Sequence, residues 1–184
     1  IYESNERLIR LVENLLNISR IESGRIRYRT EKVNLAELAD AVLKEFSGIA
    51  SKKGLSLELI RNKDRGSIVT ADPDKVKEVA MNLIDNSIKY SKGGKITIVL
   101  ENTKNTVRFS VRDEGMGIKS EDLPRLFQKF NRGSGSALVH TEGTGLGLYV
   151  ARIMVEAMGG RIRAESEGEG RGSCFSFDLP VSQA

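Results

Sequence analysis

The segment Asn82-Leu83-Ile84-Asp85-Asn86-Ser87-Ile88-Lys89-Tyr90 decides the fold, because it joins an apolar helical face to polar side chains at helical spacing. Two glycine-bearing segments follow it along the chain, Asp113-Glu114-Gly115-Met116-Gly117 and Gly143-Thr144-Gly145-Leu146-Gly147-Leu148. Each segment alone is a weak signal, since glycine-rich turns and polar helix faces are common. Together and in this order they predict a nucleotide site, with a metal-binding helix, a base-reading acid and backbone loops for phosphate.

The first segment lies on a helix that we expect to begin at Asp72-Pro73 and to run to about Ser91, since Asp suits the N-cap and proline the first helical position. The apolar side of this helix comprises Val76, Val79, Ala80, Leu83, Ile84 and Ile88. The polar side comprises Lys75, Glu78, Asn82, Asn86 and Lys89. A carboxamide oxygen suits Mg²⁺ and a lysine suits phosphate, although a plain solvent-facing stripe is the alternative.

The two glycine segments predict contacts to a nucleotide, made by backbone groups and by one carboxylate. Asp113 ends a predicted strand, where it can accept a hydrogen bond from an exocyclic amine such as that of adenine. The alternative is a polar turn. The segment from Gly143 to Leu148 leads straight into a helix, whose first N–H groups bind anions. The Gly/Ser-rich stretch Arg132–Glu142 before it is typical of a mobile lid. Phe127 and Phe130, just upstream, fit either the site or core packing.

The rest of the chain predicts alternating strands and helices. The predicted strands are Leu55–Ile60, Ser67–Ala71, Lys95–Glu101, Thr106–Asp113, Arg161–Ser166 and Ser173–Leu179. The other predicted helices are residues 1–23, a helix capped by Asn34 with Glu37 three residues on and ended by Gly54, a short one over Ser120–Phe127, and Leu146–Met158. Residues 25–33 read as an extended linker.

The first helix carries a wide apolar stripe formed by Leu8, Leu11, Val12, Leu15, Leu16 and Ile18. We expect this stripe to pack in a bundle with helices from outside the chain, with packing on the chain's own domain as the alternative. The domain division that follows is a helix at 1–24, a linker at 25–33 and a globular domain at 34–184.

Composition limits the classes of function. The 184 residues suit one domain with an appendage, and no apolar run approaches the ~18 residues of a membrane span. The net charge of +4 comes without a run of Lys or Arg, which argues against nucleic acid as a partner. The single cysteine, Cys174, lies in a predicted strand and indicates a reducing cytosol. Because the sequence begins at Ile1, we expect a fragment whose upstream segments, membrane spans included, lie outside it.

The three segments, their order and their spacing resemble those of the catalytic, ATP-binding domain of bacterial sensor histidine kinases, within the gyrase/Hsp90/histidine-kinase/MutL superfamily. The resemblance runs from about Asn34 to Pro180 and includes a last glycine box at Gly168–Phe175. Residues 1–23 resemble the second helix of the dimerisation and phosphoacceptor hairpin. The resemblance implies a two-layer α/β sandwich of the Bergerat type, with a mixed, largely antiparallel sheet, helices on one face and one amphipathic helix before it.

The resemblance also assigns residues to roles in the site. Asn86 would ligate Mg²⁺, with Asn82 near the phosphates, and Asp113 would read the adenine amine. Arg132 would reach toward the γ-phosphate, although Asn131 departs from the Tyr common beside it in the family. The remaining residues implied to hold ATP are Lys89, Tyr90, Gly115, Gly117, Ile118, Gly143, Thr144, Gly145, Leu146, Gly147, Leu148 and Ser173. Those implied to act in catalysis are Asn82, Lys89 and Arg132.

The function implied is transfer of the γ-phosphoryl group of Mg-ATP to a histidine on a helix outside the chain, followed by relay to the aspartate of a response regulator. The implied partners are that phosphoacceptor helix, from the same or a second protomer, and the response regulator, with a homodimeric full-length protein. We expect a cytoplasmic domain, and the sequence leaves open whether the full-length protein is anchored in the inner membrane. The alternatives are an anti-sigma-factor serine kinase of the same superfamily and a binding module without catalysis.

The one histidine, His140, lies inside the predicted lid and lacks the helical context of a phosphoacceptor. We therefore expect the chain to bind Mg-ATP without stable autophosphorylation. Incubation with γ-labelled ATP checks this, and strong label at His140 would contradict it.

Asn82 leads to a prediction about ATP hydrolysis. Gyrase- and Hsp90-like ATPases resemble this pattern but carry a Glu there as the base for the attacking water, and an amide cannot take that proton. We expect slow hydrolysis of Mg-ATP by the chain alone, measured as phosphate release. Rapid turnover would contradict this reading of Asn82.

Overall fold

The structure, a computed structural model, describes residues 8, 9, 12, 15, 16, 18, 19, 27–61, 67–131 and 145–182. Three helices lie in the globular part: α1 (Leu35–Lys52), α2 (Pro73–Lys89) and α3 (Gly147–Ala157). Seven strands accompany them: β1 (Glu31–Asn34), β2 (Leu55–Arg61), β3 (Ile68–Ala71), β4 (Gly94–Asn102), β5 (Thr106–Asp113), β6 (Arg161–Glu165) and β7 (Ser173–Pro180). No described helix has the length and apolarity needed to cross a membrane.

Five strands form the main sheet, in the order β2-β4-β5-β7-β6. Within it β2 and β4 run parallel, whereas the β4–β5, β5–β7 and β7–β6 pairs are antiparallel. Strands β1 and β3 form a separate antiparallel pair. The mixed, largely antiparallel sheet predicted from the sequence is therefore confirmed.

The core lies between one face of the sheet and the helices. Side chains alternate across a strand, so Val107, Phe109 and Val111 of β5 face the same way and are fully buried. Phe109 stacks on Phe177 of β7 with ring centroids 5.1 Å apart. The opposite face is polar, and there Asp178 is bonded by the guanidinium groups of Arg108 and Arg163. This contrast explains why helices cover one face only.

Both helix starts predicted from the sequence are confirmed. The Asn34 side-chain oxygen accepts a hydrogen bond from Ala36 N at 3.0 Å, and its amide donates to Glu37 at 2.8 Å. At the start of α2, Asp72 Oδ1 accepts from the backbone N–H groups of residues 74 and 75 at 3.1 and 3.2 Å. The second oxygen of Asp72 accepts from Arg29 N at 2.8 Å, which attaches the linker to this helix.

Two local predictions were wrong. The predicted linker, 25–33, overlaps strand β1, whose Val33 is buried and pairs with Val69 of β3. The β-branched residues of this stretch therefore belong partly to the fold. The predicted helix over Ser120–Phe127 is a single 3₁₀ turn at Leu123–Arg125 with turns around it. Pro124, which lacks an N–H and crowds the preceding turn, accounts for the shortening.

The N-terminal residues that the structure describes are helical, as predicted. Five of their apolar side chains are between 44% and 63% exposed, those of Leu8, Ile9, Val12, Leu15 and Leu16, whereas Ile18 is buried. An apolar stripe left largely in solvent favours packing with helices from outside the chain.

The stacked pair in the core gives a stability prediction. Phe109→Ala removes a fully buried ring, so we expect it to lower the free energy of unfolding by roughly 3–5 kcal/mol. Ile60→Ala, on a side chain 49% exposed in β2, should cost about 1 kcal/mol or less. Urea unfolding followed by circular dichroism measures both, and equal losses would contradict the position of the core.

Candidate nucleotide site

Asp113 is a charged residue in an otherwise apolar row. It ends β5 on the helix-facing side, in line with Phe109 and Val111, and only 5% of it is exposed. In the sheet register it lies between Ile96 of β4 and Ser173 of β7. Strand alternation therefore aims this carboxylate at the helix layer, where a buried charge requires several hydrogen bonds.

Four hydrogen bonds hold the Asp113 carboxylate in place. Oδ1 accepts from the backbone N–H groups of Gly115 and Ser173 at 2.9 and 3.2 Å. Oδ2 accepts from the hydroxyl groups of Ser87 and Ser173 at 3.1 and 2.6 Å. These donors come from α2, from the loop after β5 and from β7, so three elements fix the orientation of one carboxylate. Ser173, a predicted site residue, therefore contacts Asp113, and so does Ser87, which the sequence analysis did not name.

Another hydroxyl, that of Ser91 just after the C-terminus of α2, lies close to this carboxylate. Ser91 is 3% exposed, and its Oγ has no hydrogen-bond partner among the described residues. A Cβ placed on Gly115 would lie 2.7 Å from Ser91 Oγ and 2.8 Å from Asp113 Oδ1. The site therefore holds an unsatisfied polar atom beside its buried acid.

The loop after β5 is packed against the loop between β6 and β7. Gly170 N donates to Met116 O at 2.7 Å, and Gly172 N donates to Gly115 O at 3.2 Å. Gly117 has φ 69°, and a Cβ there would lie 1.9 Å from Gly168 O. The predicted glycines are required here by backbone-to-backbone contact and by positive φ.

Ser166 holds the two loops together through its hydroxyl. Its Oγ accepts from Ile118 N at 3.0 Å and from Gly168 N at 3.2 Å, and donates to Gly172 O at 2.6 Å. This bonding fixes the backbone of Ile118, a predicted base-pocket residue. No sequence pattern distinguishes Ser166 from an ordinary loop serine.

The polar face of α2 points toward the N-terminus of α3. A Cβ added to Gly147, the first residue of α3, would lie 3.0 Å from Asn82 Oδ1. Asn82 and Asn86 are both half-buried, one turn apart. The Asn82 carboxamide therefore lies beside the first residue of α3, whereas the roles of Asn82, Asn86 and this helix end toward phosphate and metal stay predictions.

Lys89 makes a contact that the sequence analysis did not anticipate. Its Nζ forms an ion pair with Asp85 one turn earlier, and both side chains are about a third exposed (35% and 34%). The role of Lys89 toward phosphate stays a prediction. Asp85 shares a helix face with Asn82 and Lys89, and the sequence analysis did not single it out although this spacing was visible.

Several other predicted residues have structural positions. The carbonyl of Tyr90, the C-cap of α2, accepts from Met116 N at 3.0 Å. Leu146 is fully buried at the start of α3, and Leu148 packs on the core. Gly145 has φ 68° beside the backbone of Phe130. Arg132, Gly143 and Thr144, together with the rest of the predicted lid and His140, lie outside the described residues.

The two phenylalanines before the lid have different positions. Phe127 packs against the core, so the core-packing alternative describes it. Phe130 is 64% exposed and has φ 58°, a backbone conformation that bulky residues rarely adopt. Next to it, Lys129 lies over the ring of Tyr149, 5.3 Å from its centroid.

Cys174 occupies β7, as predicted, one residue beyond Ser173 and on the other face of the sheet. Burial raises the pKa of its thiol, and the nearby Arg112 lowers it only in part. A thiol that stays protonated is a poor nucleophile, so Cys174 is a structural residue.

The close contact at Gly172 gives a prediction with a matched control. Gly172 and Gly170 have φ values of 70° and 74°, but a Cβ on Gly172 would lie 2.0 Å from Asp113 O, whereas one on Gly170 meets nothing within 4 Å. Each alanine substitution carries a positive-φ cost of about 1–2 kcal/mol. Gly172→Ala should cost roughly 1–3 kcal/mol more in urea unfolding and should weaken Mg-ADP binding. Equal effects of the two variants would contradict the packing of this loop on Asp113.

Comparison with known proteins identifies the family. Residues 71–183 match the family described as Histidine kinase-, DNA gyrase B-, and HSP90-like ATPase. The chain is 36% identical to the sensor histidine kinase WalK of Bacillus subtilis, over 97% of the chain and 29% of WalK. It thus spans less than a third of the length of the curated relatives it matches.

Solved structures give the same result. Full-length ShkA in complex with AMPPNP superposes with a TM-score of 0.85 at 27% identity, covering 99% of the chain and 37% of ShkA. The histidine kinase ThkA in complex with the response regulator protein TrrA superposes with a TM-score of 0.74 at 25% identity, covering 95% of the chain and 49% of that one. With its buried Asp113 and glycine-rich loops, the chain belongs to the histidine kinase-, DNA gyrase B- and HSP90-like ATPase family, as the catalytic ATP-binding domain of a sensor histidine kinase.

Proposed function

We propose that the chain binds Mg-ATP in the cleft between α2, the loop after β5 and the N-terminus of α3, and donates the γ-phosphoryl group to a histidine outside the chain. The observation that carries the proposal is the buried Asp113 carboxylate, fixed by four hydrogen bonds at the end of an apolar row. A fixed, buried carboxylate suits recognition of an exocyclic amine, which would share Oδ2 with the rotatable hydroxyl of Ser87 or displace it. The AMPPNP complex of the relative ShkA supports the nucleotide class.

The donor atoms on α2 fit a magnesium ion. Asn82 and Asn86 offer carboxamide oxygens and Asp85 a carboxylate, all hard oxygen ligands of the kind that Mg²⁺ prefers. We assign Asn86 as the metal ligand, as the family resemblance implies. Bound Mg²⁺ would supply charge neutralisation between the phosphates.

The first turn of α3 suits the phosphates. Its first N–H groups have no acceptor within the helix and carry the positive end of the helix dipole, and Gly147 lets the backbone come close to Asn82. Lys89 would leave its ion pair with Asp85 and place its ammonium group against the phosphates. Positioning and electrostatics are the main contributions that a protein makes to phosphoryl transfer. From the predicted lid, Arg132 would reach toward the γ-phosphate, and Gly143 and Thr144 would help to hold the phosphates.

The acceptor and the partners are proposed from the relatives. WalK is a sensor histidine kinase, and ThkA was solved with a response regulator protein. The exposed apolar stripe of the N-terminal helix supports packing in a hairpin bundle of a homodimer. Asn82 disfavours hydrolysis, because no carboxylate stands there to activate water. These features support transfer to histidine over an ATPase function.

Asp113→Asn tests recognition of the base. The amide can place an N–H₂ group where the amine of the base would have to donate, so that amine loses its acceptor. Mg-ADP affinity in calorimetry should fall roughly 5- to 150-fold, corresponding to about 1–3 kcal/mol for an unsatisfied buried group. Asp74→Asn, on the exposed first turn of α2, is the control and should leave the affinity unchanged.

Phosphotransfer is tested by mixing the chain and γ-labelled ATP with the phosphoacceptor hairpin of WalK. Acid-labile, alkali-stable label on the hairpin is the expected result. Acid-stable label would indicate a serine kinase. Absence of Mg-ADP binding by the wild-type chain would indicate a module without catalysis, and either outcome overturns the proposal.

A further inference from the structure

Asp85 occupies the centre of the polar face of α2. Residues 85, 86 and 89 follow residue 82 by three, four and seven positions, so all four share one side of the helix. All four are half-buried, and no residue of the chain between 78 and 90 is exposed. A surface helix normally exposes its polar face. Here that face is only partly exposed, and the proposed function puts the nucleotide beside it, so Asp85 brings a carboxylate to the proposed phosphate site.

A contribution to folding stability from the ion pair with Lys89 does not explain why a carboxylate stands at position 85. Pairs at this spacing with about a third of each side chain exposed contribute little to folding. The pair does neutralise the cation that the proposed function assigns to phosphate. A lysine held by a carboxylate is not available to a phosphate until another cation takes over that carboxylate.

The charges in the cleft favour one form of nucleotide over another. A metal-free nucleoside di- or triphosphate brings several negative charges toward Asp85 and must also compete with it for Lys89. A divalent cation between carboxylate and phosphate turns that repulsion into attraction, and it releases Lys89 to the phosphates. Mg²⁺ commonly binds through one or two protein ligands together with substrate phosphates.

We propose that Asp85 is a positioning residue that couples nucleotide binding to the divalent cation, so that the site takes the nucleotide as its magnesium complex and rejects the free anion. This inference rests on the proposed function, because it concerns the same cleft. It assigns to Asp85 a task separate from those of Asn86, which holds the metal, and of Lys89, which meets the phosphate.

The test compares ADP affinity with and without the metal. Calorimetry with ADP is run in excess Mg²⁺ and again in EDTA, for the wild-type chain and for Asp85→Asn. We expect Asp85→Asn to bind metal-free ADP about tenfold more tightly than the wild type, because one like charge and the competitor for Lys89 are gone. Its affinity for Mg-ADP should stay equal or fall. The ratio of the two affinities should therefore shrink about tenfold or more.

Two further variants separate charge from structure. Asp85→Glu keeps the carboxylate and should restore most of the metal dependence. Asp74→Asn makes the same charge change on the same helix, 11 residues earlier. That distance is about 16 Å along the helix axis, beyond the screening length of about 8 Å, so its ratio should match the wild type. Circular dichroism confirms that each variant is folded.

The outcomes distinguish this inference from the proposed function. If the wild-type chain binds no ADP in either buffer, the proposed function fails. If it binds and Asp85→Asn shows the wild-type ratio, or Asp74→Asn changes the ratio as much, the assignment of Asp85 is overturned and nucleotide binding stands.

Discussion

The constraint on which the site depends is the burial of one carboxylate in an apolar row. Asp113 lies where β5 leaves the core, and water cannot solvate it there. Ser87 on α2, Gly115 in the following loop and Ser173 on β7 donate to it instead. An unpaired buried charge is strongly unfavourable, so these elements are locked together around it. The hydrogen bonds that make this burial possible also orient the carboxylate that we propose reads the base.

The glycine loops follow from that constraint. For Gly115 N and Ser173 N to reach one oxygen, the loops that carry them must approach with backbone against backbone. No Cβ fits at Gly117 or Gly172, and Ser166 bonds both loops at once. On the other side of the cleft, α2 supplies both the hydroxyl that holds Asp113 and the polar face near α3. One helix would thus link the proposed base-recognition group to the proposed phosphate site.

The sequence predicted the elements that have strong local signals. Asp72-Pro73, Asn34 and the alternating strands set their own boundaries. The errors have physical reasons. Strand β1 exists through its pairing with β3, a long-range contact with no local signature. Ser87 and Ser166 look like ordinary polar residues until tertiary structure gives them partners. Asp85 pairs with Lys89 within one helix, and many surface helices carry such a pair. The lid residues among the predicted site lie outside the described part of the chain.

The central claim is that the Asp113 carboxylate accepts a hydrogen bond from the amine of the base. The most direct measurement compares Mg-ADP with Mg-IDP, in which a carbonyl oxygen replaces that amine, on the unaltered chain by calorimetry. A carbonyl facing a buried carboxylate has no proton to share, so the account predicts IDP affinity at least about tenfold below that for ADP. Equal affinity for the two nucleotides would contradict it.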